Sequence, residues 1–308
     1  MDRVGPVAAI DCGTNSTRLL VVDANGTALE RLTRITRLGA GVDATGMLAP
    51  EAIARCLSVL RGYRQMMDKF AVARGRLVAT SAARDASNGA EFLQAAGEVT
   101  GFEPELLGGT DEGRLSMAGA VSDLPHDEGP FLVLDIGGGS TELVTGSGPD
   151  DPELSVVSLQ VGCVRITERF LTSDPPTATE LREAEAMVNE LLEQAIADHP
   201  RFLAAHRLVG LAGTVTTLAS LHLGLDIYDR DRIHHAVLAA GDVYDWYRTL
   251  ASEVTAARLD RAGMVPGRED VIVGGALILS AVMTRFGFDE CLVSEADILD
   301  GMAAELLA

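Results

Sequence analysis

Two stretches of the chain share one pattern of hydrophobic and polar positions: an apolar run, a turn of small residues led by an acid, and a second apolar run. The first stretch joins Val7–Ile10 to Leu19–Val22 through the turn DCGTNST, and the second joins Phe131–Leu134 to Leu143–Val144 through DIGGGST. Short apolar runs bounded by turn residues are typical of buried strands. Each stretch therefore predicts a β-hairpin, and the repetition predicts two related domains.

The rest of the chain alternates between strand-like and helix-like patterns. Apolar positions spaced three and four apart between Pro50 and Ala73 predict a helix, and Thr177 and Glu180 form the signature of a capping box that opens another helix ending before Pro200. This alternation in both halves indicates an α/β architecture. Further predicted helices are 91–99, 112–121, 271–283 and a terminal one, and further predicted strands are 28–37, 77–81, 207–211 and 292–294.

The length, composition and charge of the chain limit the kinds of protein that it can be. A chain of 308 residues favours two domains, and no apolar run reaches the roughly 20 residues of a membrane span. The four cysteines are scattered and the N-terminus leaves no room for a signal peptide, so we expect a cytoplasmic protein. The net charge of −20 argues against binding to nucleic acid or to an anionic membrane.

The two turns have the chemistry of a phosphate site. Glycines allow backbone N–H groups to approach an anion, and hydroxyls add donors. The leading acids, Asp11 and Asp135, would bind phosphate only through a hydrated divalent cation. The single lysine, Lys69, follows neither turn, which excludes a Walker-type loop. A nucleophilic role for Cys12 is an alternative, although no histidine is nearby in the sequence.

Several ordered motifs together resemble the exopolyphosphatase and guanosine pentaphosphate phosphatase (Ppx/GppA) family, of the acetate/sugar kinase, Hsp70 and actin superfamily. The motifs are Asp11–Ser16, Arg37–Gly41, Thr80–Asn88, Asp111–Arg114, Asp135–Glu142, Gly210–Thr214 and Arg268–Asp270.

The resemblance implies two ribonuclease-H-like (actin-like ATPase) domains with the site in a cleft between them. We place the first domain at residues 1–125 with a C-terminal helix at about 296–308, and the second at 126–295. Longer relatives carry further C-terminal helical domains, one of them HD-like, and we expect this chain to be a short form without them. Near Leu299 it also lacks an arginine that family members often have.

The resemblance places the general base at Glu112, with Asp111 as the weaker candidate. The alternative is that both acids only favour the dipole of a helix N-terminus. Asp11 and Asp135 would hold Mg²⁺ or Mn²⁺, unless they only cap their turns. Glu142 resembles an acidic position that would hold the metal or assist the base; the alternative is a strand acid that faces solvent.

Phosphate oxygens would be bound by the hairpin turns and by two further loops. Arg84 would form bidentate contacts unless it is only a surface ion pair, and the turn at Gly213 would touch the phosphate chain unless it only leads a strand into a helix. The complete predicted set of phosphate-binding residues is Asn15, Ser16, Ser81, Arg84, Gly137, Gly138, Gly139, Ser140, Thr141, Gly213 and Thr214.

The function implied is an Mg²⁺-dependent exopolyphosphatase that releases terminal orthophosphate from inorganic polyphosphate. The short length of the chain and its net charge of −20 predict a preference for short polyphosphates. One alternative is hydrolysis of guanosine pentaphosphate, although aromatic residues make up only 4% of the chain and no guanine pocket is recognisable. A non-catalytic nucleotide-binding or scaffold protein is another alternative, and a sugar kinase is less favoured still. Homodimerisation is common in the family, and we expect it here.

Overall fold

The computed structural model describes residues 5–308, apart from the side chain of His126. The described chain divides into two compact units: residues 5–119 with 298–308 form the first, and residues 120–297 form the second. The predicted boundaries, near residues 125 and 295, stay a prediction. Within the described residues, no helix is both long and apolar enough to span a bilayer.

The first unit is built on a five-stranded sheet with the order β3-β2-β1-β4-β5. Strands β1 and β2 form the first predicted hairpin, and β4 runs parallel to β1. The strands are β1 (Val7–Cys12), β2 (Ser16–Val22), β3 (Ala28–Ile35), β4 (Arg74–Ala79) and β5 (Pro104–Leu106). The helices are α1 (Val42–Thr45), α2 (Pro50–Lys69), α3 (Ser81–Asp85), α4 (Gly89–Thr100), α5 (Gly109–Ala120) and the terminal helix, Ile298–Leu307.

Strand β1 is buried along its whole length because helices cover both faces of the sheet. Ala8 and Ile10 pack into a core with α2 and α4, whereas Val7 and Ala9 pack into a core with the terminal helix. A Cβ atom at Gly301 would lie 2.2 Å from the Leu115 carbonyl oxygen, so this glycine lets the terminal helix lie directly on α5.

The second unit has a six-stranded sheet with the order β10-β11-β9-β6-β7-β8. Its strands are β6 (Phe131–Ile136), β7 (Thr141–Gly146), β8 (Ser155–Leu159), β9 (Arg207–Leu211), β10 (Val237–Ala239) and β11 (Glu290–Val293). Its helices are α6 (Cys163–Phe170), α7 (Ala178–Asp198), α8 (Ala212–His222), α9 (Arg230–Ile233), α10 (Ala240–Ala251), α11 (Thr255–Leu259) and α12 (Ile272–Phe286), so the terminal helix is α13. Short 3₁₀ helices occupy His126–Glu128 and Pro200–Ala204.

The two sheets share one topology. In each, a central strand pairs antiparallel with the second strand of its hairpin and parallel with a later strand, and the second strand pairs antiparallel with a third. The order β8-β7-β6-β9-β11 repeats β3-β2-β1-β4-β5, with β10 added at the edge. This is the order of a ribonuclease-H-like sheet, so the predicted α/β class with two related domains is confirmed.

Candidate functional site

The two hairpin turns have the same backbone construction. The N–H of Gly13 donates to the Ser16 carbonyl at 3.0 Å, and the N–H of Gly137 donates to the Ser140 carbonyl at 3.0 Å. A Cβ atom at either glycine would crowd the accepting oxygen, at 3.2 Å and 3.0 Å respectively. The likeness of the two sequences therefore extends to the geometry of the turns.

In the first turn, Asn15 and Ser16 have different surroundings. The Asn15 carbonyl accepts from the backbone N–H groups of Thr36 and Arg37, which fixes the residue, and its side chain is buried. Its Nδ2 atom has no hydrogen-bond partner in the protein. Ser16 begins β2 and is half-buried. A buried amide without an acceptor costs free energy unless a ligand supplies one, which fits an anion-binding role.

Asp11 is held by a residue that the sequence analysis did not identify. Arg18 donates to the Asp11 Oδ2 atom from Nε at 3.0 Å and from Nη2 at 2.6 Å. The two residues are directly opposed on β1 and β2. Counting outward from the turn would have paired them, because cross-strand partners share a face of the sheet. Asp11 therefore has a protein cation as its partner.

Arg84 and Ser81 lie on the short helix α3 rather than in a turn. Arg84 Nη1 donates to the Leu107 carbonyl at 2.8 Å and lies 3.7 Å from Glu112 Oε2. Arg84 Nη2 is buried without a hydrogen-bond partner. The ion pair therefore joins two predicted site residues, and a second donor remains for a ligand. Ser81 is buried, with its hydroxyl 3.4 Å from Asp85 Oδ2.

Glu112 lies in the first turn of α5, where its backbone N–H donates to the Gly108 carbonyl. Its exposed fraction is only 9%, whereas its neighbour Asp111 is exposed. An acid that served only the helix dipole would not need burial beside an arginine. The environment of Glu112 therefore differs from that of Asp111 in the way a base in a protected site requires.

In the second unit, Asp135 and Glu142 are directly opposed on β6 and β7, and both are buried. Glu142 is fully buried rather than facing solvent, and its Oε1 atom accepts from the Ser158 hydroxyl at 2.6 Å. Directly opposed residues project from the same face of a sheet, so the two carboxyl groups lie side by side. The pair therefore has the chemistry of a site for a divalent cation, because carboxylate oxygens are the ligands that Mg²⁺ prefers.

The glycine loop between these strands is held by its carbonyl oxygens. Gly137 and Gly138 accept from backbone N–H groups at the start of α6, and Gly139 accepts from Arg165 Nε at 2.8 Å. These oxygens are thereby turned toward α6. Ser140 is buried in the same loop.

Thr141 does not fit its predicted role. The Thr141 hydroxyl donates to the Val161 carbonyl at 2.6 Å and the residue is completely buried, so its one proton is already used inside the protein. This hydroxyl therefore stabilises the loop by its hydrogen bond to Val161.

The third loop of the second unit brings Gly213 against an arginine. A Cβ atom at Gly213 would lie 1.7 Å from Arg268 Nη1, so only glycine allows the guanidinium to approach the backbone here. Thr214 is buried and lies beside the Cys163 thiol. Burial raises the pKa of that thiol, and Arg268 opposes the shift. Both predicted residues are thus in contact with polar groups that sequence spacing did not connect.

Cys12 is not placed as a nucleophile. The thiol is buried. A hydrogen bond with Cys56 is the main cause, and burial the second, that raise the pKa of Cys12 well above the ordinary value of a thiol. A thiol kept protonated in the core is unreactive.

Another cluster of potential metal ligands lies outside these loops. His234 Nε2 is 2.8 Å from Asp123 Oδ2, and His235 Nε2 is 3.5 Å from Asp123 Oδ1. The Nδ1 atom of His234 accepts the backbone N–H of Glu295 at 3.1 Å. The neutral ring therefore carries its proton on Nε2 and donates it to Asp123, and a metal there would displace that proton. This geometry favours a hydrogen-bonded cluster over a metal site.

Comparison with known proteins agrees with the resemblance. The chain is 44% identical over 316 residues to exopolyphosphatase 2 of Mycobacterium tuberculosis, with 97% of this chain and 98% of that protein covered. It is 33% identical to a bifunctional 3-dehydroquinate synthase/phosphatase of Fusobacterium nucleatum, covering 97% of this chain but 46% of that protein.

Solved structures agree as well. An exopolyphosphatase-like protein has a TM-score of 0.90 at 37% identity, covering 97% of this chain and 98% of that one. The Ppx/GppA family member of Aquifex aeolicus has a TM-score of 0.80 at 33% identity, with 98% of each chain covered. The profile of the Ppx/GppA phosphatase family matches residues 20–308, and the chain belongs to this family.

Proposed function

We propose that this protein is an exopolyphosphatase, a hydrolase that releases terminal orthophosphate from inorganic polyphosphate with the help of a divalent metal, Mg²⁺ or Mn²⁺. The observation that carries the proposal is the pair of buried donors without partners, Asn15 Nδ2 and Arg84 Nη2, in the unit that also holds Glu112. Two unused donors suit an anion with many oxygens. The name of the Mycobacterium tuberculosis relative supports polyphosphate as that anion.

In this proposal Asn15 and Arg84 bind non-bridging oxygens of the terminal phosphate. Glu112 accepts a proton from the attacking water as the new oxygen–phosphorus bond forms and the bond to the bridging oxygen breaks. The Leu107 carbonyl fixes Arg84 Nη1, which lies 3.7 Å from Glu112 Oε2. Arg84 thereby holds the phosphate-binding group and the general base at a fixed distance from each other. The hydrolysis needs no covalent intermediate on the protein.

The residues that best fit the metal are Asp135 and Glu142. They are buried acids directly opposed across neighbouring strands, so their carboxyl groups share one face of the sheet. Asp11, the equivalent acid of the first hairpin, forms an ion pair with Arg18. When bound, the metal would neutralise negative charge on the phosphate chain. The two hairpins thus differ in chemistry at equivalent positions. The residue opposite the leading acid on the second strand is an arginine in the first hairpin and a glutamate in the second.

We also propose a cytoplasmic homodimer that binds neither nucleic acid nor membranes. The net charge of −20 supports the absence of nucleic-acid and membrane partners, and the four free cysteines fit a reducing compartment. Light scattering of the purified protein tests the dimer, and a single-subunit mass would contradict it.

The first test measures orthophosphate release with Mg²⁺ from short polyphosphate, long polyphosphate and guanosine pentaphosphate. Glu112→Gln keeps the size of the side chain but removes the base, so we expect a loss of about 100-fold or more in kcat. Asp111→Asn is the matched control, because this neighbouring acid is exposed, and it should retain nearly full activity.

Three results would contradict the proposal. Release from guanosine pentaphosphate alone would move the function to that substrate. Full activity of Glu112→Gln would remove the assigned base. No release from any substrate by folded protein would favour a binding or scaffold role.

A further inference from the structure

Ser158 lies in one cross-strand row with the two acids assigned to the metal. Glu142 on β7 is paired with Asp135 on β6 and with Ser158 on β8. Directly opposed residues on neighbouring strands project from the same face of a sheet. The row therefore places a hydroxyl on one side of Glu142 and a carboxylate on the other.

The hydroxyl makes a short hydrogen bond to a completely buried carboxylate. Ser158 Oγ donates to Glu142 Oε1 at 2.6 Å, at the short end of the range for an O–H···O hydrogen bond. Such a bond restricts the rotation of the carboxyl group.

We propose that Ser158 is a positioning residue that holds Glu142 in the orientation needed for a divalent metal. This inference rests on the function proposed above and makes Glu142 a metal ligand rather than an assistant of the base. A carboxylate that accepts a fixed O–H at one oxygen presents its other oxygen in a defined direction. Partners of this kind are commonly worth about 10- to 100-fold in metal affinity.

The test measures Mn²⁺ binding to the purified full chain by electron paramagnetic resonance, without substrate, alongside Mg²⁺-dependent phosphate release. Ser158→Ala should weaken Mn²⁺ binding about 10-fold or more and raise the Mg²⁺ concentration for half-maximal activity by a similar factor. Ser158→Thr keeps the hydroxyl and should restore both values. Ser155→Ala is the matched control, since this serine of β8 contacts His199 at 3.0 Å instead.

A double-mutant cycle separates positioning from general damage. In a Glu142→Gln background, Ser158→Ala should leave Mn²⁺ affinity unchanged, because the carboxylate that it positions is gone. A merely structural serine would weaken binding in both backgrounds, and circular dichroism on each variant verifies folding.

The inference is overturned if Ser158→Ala binds Mn²⁺ as wild type does, if Ser158→Thr fails to restore binding, or if wild type binds no Mn²⁺. These outcomes are distinguishable from failure of the proposed function. That failure appears as absent phosphate release from every substrate, and the Mn²⁺ measurement does not depend on turnover.

Discussion

At the scale of single residues, the site is marked by donors that the protein itself leaves unused. Arg84 shows this most clearly, since Nη1 is occupied by the Leu107 carbonyl while Nη2 is buried without an acceptor. A guanidinium is planar, so fixing one nitrogen also fixes the direction of the other. The backbone contact thus aims the remaining N–H groups before substrate arrives.

Arg84→Ala should therefore lower kcat/KM for polyphosphate by about 10- to 100-fold, the usual effect of losing a hydrogen bond to a charged group. Arg84→Lys should recover only part of the loss, because an ammonium cannot contact the Leu107 carbonyl and a phosphate in the same fork geometry. Steady-state kinetics with a short polyphosphate check this, with Arg61→Ala on the exposed side of α2 as the control. Equal activity of Arg84→Lys and wild type would show that charge alone suffices.

At the scale of elements, helix α7 shows how a local signal in the sequence fixes a boundary. The Thr177 hydroxyl accepts from the Glu180 backbone N–H, and the Glu180 carboxylate accepts from the Thr177 backbone N–H at 2.7 Å. Hydrogen bonds from the Thr177 backbone and the Thr172 hydroxyl lower the pKa of Glu180 from 4.5 to about 2. The predicted capping box is therefore present, and it depends on an ionised carboxylate.

Thr177→Ala should destabilise the protein by about 1 kcal/mol in urea unfolding at pH 7, since one helix donor loses its acceptor.

A carboxyl whose folded-state pKa is lowered stabilises the fold above its ordinary pKa and loses that effect as pH falls toward the folded value. The difference between wild type and Glu180→Ala should thus be full at neutral pH and shrink between about pH 4.5 and 2. A difference that does not change with pH would contradict the ionic cap.

The hairpins and long helices could be predicted because hydrophobic periodicity alone specifies them. The repeated turns, the helix that begins at Pro50 and the strand Arg207–Leu211 all follow the sequence pattern. The short helices α3 and α6 could not be predicted, since five and eight residues carry too little periodicity. Their positions depend on tertiary packing, since α3 packs against α4 and α6 packs against α7 and α12.

The same limit applies to the candidate site. Glu112 and the glycine turns were predicted by motif, but the contacts of Glu142 depend on β8, which pairs with β7 after an irregular loop. The length of that loop does not reveal the register, so Ser158 could not be assigned as the partner. The sequence therefore indicated the candidate site residues themselves, but it did not indicate the neighbouring residues that orient them.

At the scale of the whole molecule, a net charge of −20 opposes the substrate that the site is proposed to bind. Local donors such as Asn15 and Arg84 can attract the terminal phosphates, but a long polyphosphate must also lie near the rest of an acidic surface. Repulsion between exposed charges is screened over about 10 Å at 0.1 M salt. A longer chain reaches beyond the favourable local field and is repelled along more of its length.

We therefore expect short polyphosphates to have the higher kcat/KM at low ionic strength, and added monovalent salt to raise kcat/KM more for long chains than for short ones. Phosphate release from chains of defined length, across a potassium chloride series at saturating Mg²⁺, measures both effects. Arg61→Ala adds further net negative charge outside the proposed site and should steepen the dependence of long chains on salt. Faster hydrolysis of long chains that declines with salt would instead reveal a basic track along the protein, because attraction rather than repulsion is then being screened.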